Sequence, residues 1–149
     1  MAEAPQFEIA DLAPDLAWEE LATNPGSILV DVRTFPEWSF VGVPDLSEIG
    51  KVVIFAEWRS YPHMKPNPGF FGEVESRLDR DWPDAALFIC RSGSRSREAA
   101  AAFAKEANRT GRRTRCFNVA EGFEGDLDKN SRRGSVNGWK RKGLAWKQS

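Results

Sequence analysis

Histidine and cysteine are scarce: 149 residues contain one histidine, His63, and two cysteines, Cys90 and Cys116. Two cysteines make no disulfide framework, so the expected home is a reducing cytoplasm. One histidine supports no Ser/His/Asp triad, and with two cysteines it gives no metal-ligand cluster, so no metal is expected. Neither a P-loop nor a G-x-G-x-x-G fingerprint occurs, and no cofactor is expected. No apolar run approaches the roughly 20 residues of a membrane span, and the acidic start is no signal peptide. A net charge of −1 and a pI near 5.9 argue against general nucleic-acid binding.

Charge of one sign is missing from each end. No lysine or arginine precedes Arg33, while Glu3, Glu8, Asp11, Asp15, Glu19, Glu20 and Asp31 do. After Asp128 no acid remains, only Lys129, Arg132, Arg133, Lys140, Arg141, Lys142 and Lys147. The plain reading is two solvated segments that attract each other weakly. The sharper one is a basic tail that recruits an acidic partner, an RNA or a neighbouring subunit.

What is present is ordinary for a globular protein: 41% hydrophobic and 29% charged residues. The length predicts one domain over 1–149, with a core over about 16–128 and a basic tail over 129–149 pinned by Trp139, Leu144 and Trp146. Residues 2–10 show no clear period and read as an extended lead-in. Pro14 to Thr23 reads as a helix, with Leu16, Ala17, Trp18 and Leu21 on one side. Asn24-Pro25-Gly26 ends it, and Ile28 to Val32 reads as a buried strand. Pro36 to Val41 is expected to form a helical turn, and Val52 to Phe55 a second apolar strand. Three prolines and Gly69 between Ser60 and Gly69 predict an irregular loop, long enough for a lid. Phe70 to Arg80 reads as a helix, Ala86 to Ile89 as a third strand, Arg95 to Asn108 as the strongest helix, and Thr114 to Val119 as a fourth strand. Helix, turn and buried strand in alternation predict an α/β layer arrangement.

The most informative stretch joins the third strand to the strongest helix: Cys90-Arg91-Ser92-Gly93-Ser94-Arg95-Ser96. A cysteine where a strand stops and a helix starts lies near free backbone N–H groups and the positive end of the helix dipole, which favour a thiolate or a bound oxyanion. Arg91 and Arg95 add two positive charges. Cys116, by contrast, reads as a small buried core residue. His63 reads as a surface residue rather than a dyad partner for Cys90, and the six tryptophans as packing. Cysteine phosphatases use the spacing C-x5-R; here the arginine comes one residue earlier, as C-x4-R. The tighter ring suits attack on sulfur better than in-line attack on phosphorus, and a persulfide anion can rest among loop N–H groups.

This loop resembles the active-site loop of rhodanese-type sulfurtransferases. Asp31-Val32-Arg33 with Glu37-Trp38, Asn118-Val119 with Gly122-Phe123, and Gly138-Trp139 with Gly143 to Trp146 resemble other family segments. The resemblance implies a mainly parallel sheet flanked by helices on both faces, and transfer of sulfane sulfur through a persulfide. It implies Cys90 as nucleophile, with the backbone of Arg91, Ser92, Gly93, Ser94 and Arg95 as anion cradle. Arg91 and Arg95 would draw in a small anionic donor such as thiosulfate, or a sulfur-relay protein's persulfide, while Asp31 and Arg33 would support the loop. Two features depart from the family: Gly42-Val43-Pro44 lacks a usual histidine, and the stretch from Ala56 to Phe71 is long. The alternatives left open are a non-catalytic binding or regulatory module on the same fold, and a phosphatase or arsenate-reducing relative.

Overall fold

Short apolar strands separated by helices bury their surface best when they lie parallel and helices cover both faces. The computed structural model describes residues 9–78 and 81–149. In chain order these form β1 (Ala10–Leu12), α1 (Pro14–Thr23), β2 (Ser27–Asp31), α2 (Phe35–Phe40), β3 (Val43–Pro44), a 3-10 turn (Ser47–Ile49) and β4 (Ile54–Phe55). Then follow β5 (Arg59–Ser60), β6 (Lys65–Pro66), α3 (Phe70–Ser76), β7 (Ala85–Ile89), α4 (Ser94–Arg109), β8 (Arg115–Val119) and β9 (Trp146–Lys147). Five strands make one parallel sheet in the order β1-β8-β7-β2-β4. The expected α/β architecture is the observed one.

Strand β7 lies at the centre of that sheet with all its residues buried, which is why Ala85 to Ile89 contains no polar side chain. Ala86, Phe88 and Cys90 face one side, packed with Phe70 and Val74 of α3 and Ala99, Ala100 and Phe103 of α4. Leu87 and Ile89 face the other, with Ala17 and Leu21 of α1, Phe123 and Trp139. Phe88 meets Phe103 and Phe70 at ring separations of 5.4 and 6.4 Å. Each such fully buried ring contributes about 2–3 kcal/mol. The chain leaves β2 toward β4 and leaves β7 toward β8, in opposite directions across the sheet. Loops at the carboxyl ends of β2 and β7 therefore part, and the crevice between them is the usual binding position of such sheets.

Several expectations change in detail. The edge strand β1 is absent from the sequence reading, because three residues of which two are exposed carry no apolar period. The expected lead-in up to residue 8, and the end of the helix at Asp79 and Arg80, lie outside the described residues. Leu16 is exposed, leaving Ala17, Leu21 and the half-buried Trp18 on the inward side of α1. Val52 is exposed as well, so the second apolar strand shrinks to Ile54–Phe55.

The stretch expected to be irregular forms a short antiparallel hairpin, with Arg59 opposite Pro66 and Ser60 opposite Lys65. A proline is tolerated because it stands on an edge strand of two residues. The tail beyond 128 is largely irregular, but it contributes more than pins. Trp139 is fully buried, stands edge-on to Trp18 at 5.9 Å, and donates from Nε1 to the Ala145 carbonyl. Trp146 and Lys147 pair with β3. Tail cations also serve inward: Lys140 Nζ donates to the Val41 carbonyl and lies 3.9 Å from the Trp146 ring centre.

Candidate active site

Cys90 follows the last residue of β7, at the switch point between β2 and β7, and is 1% exposed. Its sulfur accepts hydrogen bonds from the N–H of Gly93 at 3.1 Å and of Ser96 at 3.3 Å. Gly93 turns the chain into α4 with φ +116, a conformation that favours glycine. Gly93 holds the N-cap position and has no side chain to cap the helix. The Cys90 sulfur supplies the acceptor that a capping side chain ordinarily gives to the third N–H of a helix. The N–H groups of Arg91, Ser92, Ser94 and Arg95 have no acceptor among the described residues, so the cradle keeps donors in hand for an anion.

The loop after β8 backs this cradle. Phe123 N donates to the Cys90 carbonyl at 2.8 Å, and Glu124 N and Gly125 N donate to the Arg91 carbonyl at 3.0 and 3.2 Å. Gly122, at φ +67, passes so close that a Cβ there would lie 2.5 Å from the Arg91 carbonyl carbon and oxygen. No other residue fits. Asp31 and Arg33 stand behind the same loop and are fully buried. Arg33 donates from Nη2 to Asp31 Oδ2 at 2.7 Å and to the Gly42 carbonyl at 2.8 Å, and its guanidinium lies 4.3 Å from the Phe123 ring centre. The pair reaches the cysteine loop through Phe123.

The two cradle arginines part company. Arg91 is exposed. Arg95 instead clamps Glu37 of α2, with Nη1–Oε1 at 2.8 Å and Nη2–Oε2 at 3.0 Å. Burial pushes the Glu37 carboxyl up, but the bonds and charge of Arg95 and the donors of Thr34 outweigh it and hold Glu37 at about 2. Burial likewise lowers Arg95, and Glu37 more than offsets that, with smaller contributions from Cys90 and Asp31, so Arg95 is raised. The charge Arg95 offers a donor is thus largely matched already by Glu37.

Ser96, Asn118 and Asp11, none of them among the expected site residues, form a hydrogen-bonded chain that leads to the sulfur. Ser96 Oγ lies 3.1 Å from Cys90 Sγ and donates to Asn118 Oδ1 at 2.5 Å. Asn118 Nδ2 donates to Asp11 Oδ1 at 3.1 Å. A hydroxyl right after Arg95 was the one local hint; Asp11 lies 107 residues from Asn118 and is visible only through the β1–β8 pairing. His63 lies on the β5–β6 connection and is exposed. Trp58 Nε1 and Arg59 Nη2 both donate to Glu98 Oε1, at 2.9 and 3.4 Å, and so tie that hairpin to α4. Among the described residues no three His, Cys, Asp or Glu side chains cluster as metal ligands, and no helix is long and apolar enough to cross a membrane.

The family model for rhodanese-like domains matches residues 13–129. The chain belongs to the rhodanese-like domain family. It is 43% identical to Rv0390 from Mycobacterium tuberculosis, whose crystal structure superposes with a TM-score of 0.82 over 95% of this chain and all of that one. The uncharacterized protein RC0915 of Rickettsia conorii is 32% identical over 141 residues, 94% of this chain and 98% of that protein. A polysulfide-sulfur transferase homodimer from Wolinella succinogenes, at 22% identity and a TM-score of 0.55 over 95% of this chain and 80% of that one, shares the fold.

Proposed function

We propose that the protein is a sulfurtransferase that carries sulfane sulfur as a persulfide on Cys90. The observation that carries this reading is the cradle itself: two N–H groups donate to the sulfur, and four more of the same loop and helix start have no acceptor among the described residues. Such a set stabilises an anion on or just beyond the sulfur without a general base. The Cys90 thiolate attacks the outer sulfur of a donor such as thiosulfate; a new S–S bond forms, the old one breaks, and sulfite leaves with the electron pair. A thiophilic acceptor then attacks the terminal sulfur and frees the thiolate. The near-complete burial of Cys90 suits a small anion or the slender end of a protein persulfide. A cytoplasmic setting, which keeps thiols reduced, fits this chemistry.

Intact mass after incubation with thiosulfate, and separately with a cysteine-desulfurase persulfide, tests the reading. One added sulfur atom, lost in Cys90→Ser and removed by cyanide as thiocyanate, is the expected result. No gain from either donor would place the protein with non-catalytic modules of the same fold.

A further inference from the structure

The hydroxyl of Ser96 has one proton and two acceptors within reach: Cys90 Sγ at 3.1 Å and Asn118 Oδ1 at 2.5 Å. Asn118 is not free to choose which end of its amide faces Ser96. Its other end lies 3.1 Å from Asp11 Oδ1, and an ionised carboxylate only accepts, so Nδ2 must point there. Oδ1 is then left facing Ser96. Asp11 is itself held in place by Arg97, whose Nη2 reaches both carboxylate oxygens at 2.5 Å. Burial alone would raise Asp11, but bonds from Arg97 and Asn118 and the charge of Arg97 outweigh it and keep the carboxyl below its ordinary value. A chain of hydrogen bonds with one possible polarity thus runs from β1 across β8 to α4 and ends with the lone pairs of Ser96 Oγ facing sulfur.

We propose that Asp11, acting through Asn118, turns the Ser96 hydroxyl proton away from Cys90 and so restrains ionisation of the resting thiol. A thiol fits this polarity, because it donates S–H to Ser96. A thiolate does not: to reach it the Ser96 proton must swing away from Asn118 Oδ1, leaving that oxygen unpaired where Ser96 and Asn118 are both buried. The backbone donors of Gly93 and Ser96 favour the anion, and the side-chain relay opposes it. Asp11 is a positioning residue on this view, since it acts on the sulfur only through two others. The inference rests on Cys90 as the nucleophile of the proposed function, though not on sulfur as the cargo.

Other charges face Cys90 as well. They stand on the elements packed around it: Arg91 of the loop, Arg95 and its partner Glu37 of α2, Asp31 at the end of β2 and Arg33 just after it, Glu98 of α4 with its partner Arg59, and Glu121 after β8. A double-substitution cycle cancels them, because they are the same in every member. The experiment follows the rate of Cys90 alkylation by iodoacetamide against pH, read on the Cys90 peptide by mass spectrometry. The proteins are wild type, Asp11→Ala, Ser96→Ala and the double variant. Asp11→Ala unlocks the Asn118 amide, which can turn Nδ2 toward Ser96 and release the hydroxyl proton to sulfur. The profile midpoint is expected to fall by about one pH unit, the size of one hydrogen bond to a charged group. In the Ser96→Ala background only the loss of Asp11 charge remains, and the shift should be less than half as large. Equal shifts in both backgrounds, no shift, or an upward shift would overturn the proposal. Should the edge strand not tolerate alanine, Asp11→Asn keeps its size and should move the midpoint the same way by less. Failure of the sulfur-transfer reading would leave these profiles untouched, so the two outcomes are separable.

Discussion

Cys90, just past the end of β7, and Cys116, within the neighbouring β8, pack into the same face of the sheet beneath α4 and are almost equally hidden, at 1% and 6% exposure. Their chemistry nevertheless diverges. Cys116 lies inside β8, its thiol donating to the Thr114 carbonyl at 3.6 Å, and burial pushes it up to about 12. Cys90 lies just past the end of β7, where the ladder has stopped and the helix has not yet closed its own bonds, so N–H groups turn to the sulfur. Burial by itself therefore says little about a cysteine. What differs is whether the backbone around it has donors left over.

The comparison breaks most sharply by exchange of the thiol. Cys90→Ser should lose persulfide formation entirely, while Cys116→Ser should keep it, both read by intact mass after thiosulfate. Persulfide on Cys116 in the Cys90→Ser protein would show that donors at the strand end are not what matters. Next in size is Gly122→Ala, which leaves both sulfurs alone and attacks the wall behind one. The left-handed φ of +67 and the 2.5 Å approach to the Arg91 carbonyl together should cost about 3 kcal/mol. Urea unfolding reads that loss, and Cys90 alkylation should slow while Cys116 stays as unreactive as before.

The same contrast explains what could be read from the sequence. Cys90 was legible because its chemistry is local: strand end, small residues, arginines and helix start follow one another from 85 to 109. The sheet was legible because β7 is an unbroken apolar run and β2 carries one from Ile28 to Val30. Strand β1 was not, since its reason for existing is the β8 edge and not its own period. With β1 went Asp11, and with Asp11 the relay to Ser96. The partner of Arg95 was hidden likewise: Glu37 is 58 residues away and reads locally as half of a capping box with Thr34. Trp139 announced that the tail is anchored, but not that it fills the core opposite Cys90's face.

The Glu37–Arg95 clamp is the next lever, since it ties α2 to the first turn of α4. Glu37 is held at about 2 against an ordinary 4.5, so the folded state binds its proton less readily than the unfolded chain. The clamp's stabilisation is then fully present above pH 4.5 and is lost as pH falls toward 2. Glu37→Gln should lower stability at neutral pH by about 2–3 kcal/mol and flatten the acid limb between those values. Denaturant midpoints at pH 7, 4 and 3 for both proteins check it; parallel curves would mean the pair contributes nothing that the proton can remove. Cys116 should be indifferent to this substitution.

Cys116→Ala has the smallest effect and bears most directly on why the second cysteine is silent. Removing one buried sulfur leaves a small cavity and should cost about 1 kcal/mol at pH 7. Here the folded value is raised, from 9.0 to about 12, so the thiol's contribution is intact below pH 9 and fades as pH climbs through that range. A little below pH 10 the unfolded chain gains about 1 kcal/mol from ionising Cys116, a gain the alanine protein does not have. The stability curves of wild type and Cys116→Ala should therefore approach one another and meet near pH 10. A constant gap across pH 7 to 10 would mean that Cys116 ionises as easily folded as unfolded. Desolvation would then not be what separates it from Cys90, and the difference between the two thiols would lie wholly in the cradle.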